Sequence, residues 1–580
     1  MEFLEDYETN LDTSLNLFYD YYPTYKKAFP FIDLGLEATP VLSLSQSNQQ
    51  QLKLRLGADQ VSPYFYDDKI HIYQTDKPFT RLNYSQGANE MLSIVATHAQ
   101  QISKRLSFGV DYRRIKNQNF YFSNLENFSR VRMGNLFNTK FYTSYYSPER
   151  KYEMVASYIW NRSKNVEFGG ISSDSSFNSQ SGRNKLNNSS VNFTDGLGTL
   201  AQNQFKLTQY FRPGGLSNDS ILDASLSQFD QQFFISSALK NERVEFEDKS
   251  PDSLNYGFSI LPFKDSSYHR SIENEFGYMK MIGNYSISSS IIHDFSSIYQ
   301  NTIKESFQNL YFNTKAVIKL NKINFRPQAK IGVLGYNAGD YSIDGILSTS
   351  FNNFNVIGGF SIQKVEPTFM QNEFRSNAVQ WQNDFSKISI NQLHGSVSTN
   401  LINHFFKFDI TAENTNGLIY YHDEYKIAQY DNNLSWLRAI VSHQFLHDNF
   451  GSDFNLTFQQ TSNQAILPRP KTAISGNIFT QFKLFQKNLK VQLGVRSFWF
   501  STFNSPKYNP YTRAWHNTDQ SFESTPPIQV YTNARVKSFC FGIEFFHTQQ
   551  GLMGENYYSS PGYPMMPRSL RLNIRWDLNN

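Results

Sequence analysis

From Pro78 onward, apolar and polar residues alternate along the chain in segments of about ten residues, the spacing of a membrane-crossing strand. In Leu489–Arg496, the odd positions Leu489, Val491, Leu493 and Val495 are aliphatic, and the even positions are Lys490, Gln492, Gly494 and Arg496. Successive side chains of a strand point to opposite faces, so each set shares one face. Near the C-terminus Leu570, Leu572, Ile574, Trp576 and Leu578 oppose Arg571, Asn573, Arg575 and Asp577. Phe539, Phe541, Ile543 and Phe545 alternate with Cys540, Gly542, Glu544 and Phe546. Phe406, Phe408, Ile410 and Ala412 alternate with Lys407, Asp409, Thr411 and Glu413. Leu310, Phe312, Ala316 and Ile318 oppose Tyr311, Asn313, Lys315 and Lys319, with Thr314 and Val317 interrupting the pattern.

The connections between these segments fall into two kinds. Ser147–Arg150, Asn321–Ile323, Asn352–Asn353, Asp448–Gly451 and Gln486–Asn488 are short. The stretches 164–201, 248–267, 367–385, 503–526 and 550–567 are long and rich in Ser, Asn, Gly, Asp and Pro. Tight turns on one rim and long loops on the other are the layout of an outer-membrane barrel. The pattern therefore predicts an all-β fold: a transmembrane antiparallel up-and-down β-barrel of about 16–22 strands, within the range such barrels span, with short periplasmic turns and long extracellular loops. The hairpins near 78–100 and 340–366 carry weak alternation, and 213–247 is ambiguous. A soluble sheet packed on a core would also alternate. Here, however, the apolar faces carry no charge along their length, whereas the opposite faces repeatedly hold Lys and Arg. A single Lys or Arg at the lipid-facing midplane costs about 2–4 kcal/mol.

Residues 1–75 differ in texture from the remainder of the chain. Proline and glycine break short mixed runs such as AFPFIDLGLEATPVL. This region is read as an N-terminal periplasmic or lumen-plugging segment, and 76–580 as the barrel. It is about half as long as the globular plug expected of an energised receptor, which disfavours a TonB-dependent receptor. The opening MEFLEDYETN is acidic and has no apolar core, so it is not a secretory signal peptide.

Composition narrows the class further. Of 580 residues, 18% are charged and 16% aromatic, with one cysteine, and the mean hydropathy is −0.51. Disordered chains are poor in aromatics. One cysteine makes neither a disulfide framework nor a cysteine zinc cluster. No run approaches the ~18 apolar residues of a membrane helix. A net charge of +4 gives no reason to expect a nucleic-acid partner. Tyr142, Tyr145, Tyr146, Phe498, Trp499, Phe500, Phe545 and Phe546 sit at segment ends, where rings favour a membrane–water interface.

The polar face carries the candidate chemistry. Its pore-lining candidates are Lys315, Lys319, Arg326, Lys330, Asp409, Glu413, Lys490, Arg496, Arg535, Lys537, Glu544, Arg571, Arg575 and Asp577. Rings of basic side chains bias a wet pore toward anions, whereas opposed charges on neighbouring strands cross-pair and brace the wall. No catalytic grouping, cofactor site or phosphate loop emerges. His443 and His447 share a strand face but stand about 13 Å apart, too far for one metal. Cys540 falls on the lumenal side, suited to inert packing.

Three segments resemble a family of outer-membrane porins from one large group of Gram-negative bacteria. They are LDTSLNLFYDYYPTYKKAFPFIDLGLEATPVLSL, YQTDKPFTRLNYSQGANEMLSIVATHAQQISKRLSFGVDYRR and FFHTQQGLMGENYYSSPGYPMMPRSLRLNIRWDLNN. The last is the most specific, with its Tyr-Tyr…Pro-Gly-Tyr-Pro loop and Arg-rich final strand containing Trp576. The family closes on an aromatic, whereas this chain closes on Asp577-Leu578-Asn579-Asn580. The resemblance implies a β-barrel in the bacterial outer membrane, in contact with its lipids.

The expected function is diffusion of small polar solutes or ions through a hydrated lumen. The alternative is a non-conducting barrel that scaffolds a surface lipoprotein or secretion complex, with envelope proteins as partners. An outer-membrane hydrolase is the third and least supported reading; the chain is not expected to be an enzyme.

Overall fold

The computed structural model describes residues 14–16, 18, 29–73, 75, 77–88, 91–117, 133–178, 190–214, 231–251, 261–422, 426–552 and 557–579. The opening MEFLEDYETN lies outside them. Their strands close into an antiparallel barrel of 22, the upper end of the expected range. Closure occurs at Phe79–Gly87, which pairs with its neighbour Leu92–Ser103 on one side and with the last strand, Ser569–Asn579, on the other. Both weakly patterned hairpins form, as Phe79–Gly87 with Leu92–Ser103 and Tyr341–Phe351 with Phe354–Val365. Within the ambiguous stretch 213–247, Gln231–Asp248 is a barrel strand, and 215–230 lies outside the described residues.

The two rims differ in connection length. On one rim lie 104–105, 147–151, 283–284, 321–322, 352–353, 402–403, 448–449, 485–488 and 537–538. On the other lie 118–133, 167–195, 249–262, 366–387, 417–433, 501–528 and 547–568. Four connections depart from this segregation. The links 88–91, Asn301–Thr302 and 335–340 are short ones on the long-loop rim, and 212–230 is a long connection on the turn rim.

The outer face follows the apolar parity of the sequence. Phe406, Phe408, Ile410, Leu493, Val495, Phe541, Phe545, Leu570 and Trp576 all project outward and are exposed. On Phe263–Ile282, the outward Arg270 and Lys280 bracket Ile272 and Phe276. Ten residues of tilted strand rise about 25 Å, the height of a lipid-facing apolar band. A polar residue within that interval is paired: Ser237 Oγ donates to Asn274 Oδ1 at 2.8 Å, as the absence of water in hydrocarbon requires. Among the described residues no helix is long and apolar enough to cross a membrane; strands do so.

The inward face is identified by what it touches. Residues 31–66 contact inward side chains of strands all round the barrel. Asn138 Nδ2 donates to Tyr64 O at 2.6 Å, Asn161 Nδ2 to Tyr66 O at 2.8 Å, and Gln459 Nε2 to Leu44 O at 2.8 Å. Within this segment Phe31–Asp33 and Val41–Ser43 form a two-stranded ribbon. Its apolar residues, including Ile32, Leu34, Leu54 and Leu56, share one buried cluster with Phe168, Phe369, Trp515 and Tyr563 of the long loops.

This packing corrects the expected aromatic girdle. Tyr145, Trp499 and Phe545 have outward parity, but Tyr142, Tyr146, Phe498, Phe500 and Phe546 have inward parity. Phe498 meets Phe29 edge-on at 5.9 Å, and Phe500 and Phe546 join the buried cluster. Clusters at strand ends alternate faces like any other strand residues, so only one ring of each cluster reaches the membrane interface.

Candidate functional site

The strands deliver a cradle of inward polar side chains, and the N-terminal segment lies in it. Lys330 Nζ donates to Leu52 O at 2.9 Å. Ser47 Oγ and Asn48 Nδ2 donate to the Glu413 carboxylate at 2.5 and 2.8 Å. Arg571 and Glu37 form an ion pair at 3.2 Å, both largely buried. Arg575 Nη2 donates to Ser14 O at 2.8 Å. Arg81, at the closing seam, grips Asp577 through Nε and Nη2 at 2.6 and 2.9 Å. Asp409 is held by Lys407 at 3.0 Å.

Lys315, Lys319, Arg326, Lys490, Arg496, Arg535 and Glu544 also fall at inward parity. Lys319 lies near the turn rim and is exposed. Lys537 is not on the wall: it begins the turn 537–538 with φ of 52°, and its carbonyl accepts from Arg535 Nε at 2.9 Å.

Several cradle residues were not singled out from the sequence. Arg438 donates to Ser45 O, and Arg469 to Ser43 O and Gln46 O. Arg113 donates to Tyr64 O at 2.8 Å and stacks on Tyr66, 4.8 Å from its centroid. Lys140 reaches Lys69 O at 2.6 Å and Asp67 at 3.3 Å. For those on strands, inward parity combined with Asn, Arg or Lys was the available signal; Arg469 lies in the connection 462–471 and has no strand parity. The targets, mostly carbonyls of the segment, leave no trace in the sequence.

Burial shapes the charges outside the strands. It pushes the Asp33 carboxyl up to about 6, against hydrogen bonds from Ser559 and the Gly35 N–H. It lowers Arg469 to about 10, opposed by Glu413. Asp33 and Arg469 are thus desolvated and hydrogen-bonded within the packing of segment and loops.

The remaining sequence candidates are placed elsewhere. Cys540 is buried beside Leu15, Phe18, Phe479 and Tyr531, and its Sγ accepts from Arg575 Nη2 at 3.4 Å. His443 faces outward and meets His404 of the adjacent strand, ring nitrogen to ring nitrogen at 3.0 Å. His447 stands by Asp448 at 3.6 Å. Among the described residues no group of three or more His, Cys, Asp or Glu is placed to hold a metal.

A family model described as "Putative porin" matches residues 1–580. A search of curated proteins finds no match. Several solved structures share the fold. The copper transporter OprC is 8% identical, with a TM-score of 0.66 over 94% of this chain and 93% of its own. The siderophore receptor PirA from Acinetobacter baumannii is 8% identical, with a TM-score of 0.60 over 87% and 81%. The FrpB iron transporter from Neisseria meningitidis, without its ligand, is 8% identical, with a TM-score of 0.59 over 87% and 82%.

Proposed function

The chain belongs to the porin family whose model spans it and lies in the bacterial outer membrane, and on that premise we propose a gated, solute-selective transporter in place of an open diffusion pore. Residues 1–75 act as the plug and 76–580 as the barrel. The observation that carries this reading is the occupied lumen: residues 31–66 bond to inward side chains around the barrel and share a buried cluster with the loops. A barrel of 22 strands is the size at which outer-membrane transporters enclose a plugged lumen. The transporters and receptors that share the fold are named for copper, iron and siderophores, which supports a specific cargo over unselected diffusion.

In this mechanism the inward charges serve the plug first. Lys330, Glu413, Arg571 and Arg575 each bond the segment. An anion bias of the pore therefore emerges only after the plug shifts and frees the basic groups among them. Most of the contacts are single hydrogen bonds to carbonyls, individually worth about 0.5–1.5 kcal/mol from an amide donor and about 1.5–3 kcal/mol from a Lys or Arg. They can be exchanged in steps as the segment rearranges.

Planar-bilayer recording of the full chain tests the reading. The intact barrel is expected to be silent, and to open when the contact between the segment and the wall is cut. A stable open channel from the intact chain would restore simple diffusion. A barrel silent in every variant that co-purifies with fixed envelope proteins would be the scaffold instead.

A further inference from the structure

Among the described residues, Arg513 is a buried cation without a hydrogen-bonding partner. It lies in the long loop 501–528, at the tip of a hairpin in which Lys507–Asn509 pairs with Ala514–His516. Asn509 Oδ1 accepts from the backbone N–H groups of Tyr511 and Thr512 at 3.2 Å each, which closes the turn. Tyr511 anchors the tip, packing against Phe193 at 6.0 Å and Phe246 at 6.3 Å. Arg513 lies two residues beyond it in the left-handed region, φ 55°, and its side chain is directed to the edge of a cavity beneath the loop.

The side chain is only 6% exposed. All three guanidinium nitrogens are buried with no hydrogen-bond partner. The cavity lies between the plug and the wall and is lined by Gln60, Ser163, Asn165, Glu167 and Tyr508 together with Arg513. Two carboxylates line the cavity, Glu167 and Glu245. Glu245 is paired with Arg243 and Lys264, whereas Glu167 forms no ion pair with Arg513 among the described residues, and its Oε2 is also buried without a partner. Burial holds the Glu167 carboxyl well above the usual carboxylate range, opposed by Arg513.

An unpaired buried guanidinium is among the costliest arrangements a protein holds. Its planar fork of donors matches a carboxylate or phosphate group. We propose that this cavity binds the oxyanionic group of a small solute, a carboxylate or a phosphate, with Arg513 as its principal donor. The site lies under the loops and against the plug, where an incoming solute would first meet the segment that blocks its path. This rests on the gated-transport reading and adds the chemistry of the solute.

The test is calorimetric titration of the detergent-solubilised full chain with inorganic phosphate and, separately, with acetate. Saturable binding of either supports the site. Phosphate alone marks a phosphate-bearing solute, and acetate alone a carboxylate. R513Q is expected to weaken that binding at least tenfold. R513K keeps the charge without the fork and is expected to weaken it severalfold; it also serves if R513Q fails to fold. The proposal is overturned if neither anion binds the native chain, or if folded R513K and R513Q both bind as the native chain does. Because the titration needs no conductance, its failure leaves the silent-barrel test standing on its own.

Discussion

The ring of Tyr531 lies over Gly494, its register partner on the neighbouring strand. A Cβ built on Gly494 would stand 2.3 Å from Cζ and Oη of Tyr531. From this position the phenol donates to Asn477 Oδ1 at 2.8 Å and packs with Leu15 and Phe18 of the N-terminal segment. The same glycine–aromatic pairing recurs across strands at Gly109 with Tyr142, Gly277 with Phe234 and Gly451 with Phe479 on the inward face, and at Gly345 with Phe360 on the outer one. Gly494→Ala is therefore expected to push the ring off its seat and cost about 1–3 kcal/mol. Urea unfolding followed by gel mobility of the unheated protein measures the loss. A double mutant with Tyr531→Leu should show clear non-additivity, because the clash disappears with the ring. Additive losses would mean that the ring is not seated on Gly494.

The Glu37–Arg571 pair links the plug to the last strand, and it is buried on both sides. Removing one partner of a buried ion pair costs about 3–5 kcal/mol. Arg571→Gln is expected to loosen the plug and produce channel openings in a barrel that is otherwise silent. Glu37→Gln together with Arg571→Gln removes both charges and should restore much of the silence. If Arg571→Gln stays as silent as the native chain while remaining folded, this pair does not hold the gate.

The barrel was legible in the sequence because its signal is local. Leu489–Arg496 and Leu570–Leu578 show their two faces within eight or nine residues, and both faces appear as read. Tight turns such as Asn352–Asn353 announce themselves through Asn at positive φ. Ile402–Asn403 did not, since its leading residue is β-branched. The plug contacts were illegible for a different reason. Ser47 and Glu413 are 366 positions apart, and no periodicity connects them. Tyr142 and Phe498 were counted with the girdle because position at a strand end was weighed without parity. Arg513 carried no motif; only its burial without a partner distinguishes it from other loop arginines.

That β-branched turn residue yields a stability prediction. Ile402 has φ of 53° and is 100% exposed, so it loses no burial on replacement. The left-handed region costs a non-glycine residue about 1–2 kcal/mol, and Asn, with its short polar side chain, is among the residues that visit it routinely. Ile402→Asn is expected to stabilise the barrel by up to about 1 kcal/mol, seen as a higher midpoint in thermal unfolding of detergent-solubilised protein. A lower midpoint would mean that Ile402 has a contact in the folded barrel that outweighs its strain.

Acid should loosen the loop that carries Arg513. His516 closes its hairpin: Nδ1 donates to His422 O at 3.0 Å, which leaves Nε2 to accept from Thr512 Oγ1 at 2.7 Å. The ring is therefore neutral in the folded loop, and burial lowers its pKa from 6.5 to about 4, against the pull of the His422 carbonyl. In the undocked loop it titrates near its ordinary value of about 6.5. Between those values the undocked form binds the extra proton, so docking is at full strength above about pH 6.5 and weakens as pH falls toward 4. Hydrogen exchange of residues 507–516 at pH 7.5 and at pH 5, corrected for the intrinsic rate, should show faster opening at pH 5. His516→Asn should remove most of that difference. Equal protection at both pH values in the native chain would show that His516 does not govern how this hairpin seats over the cavity.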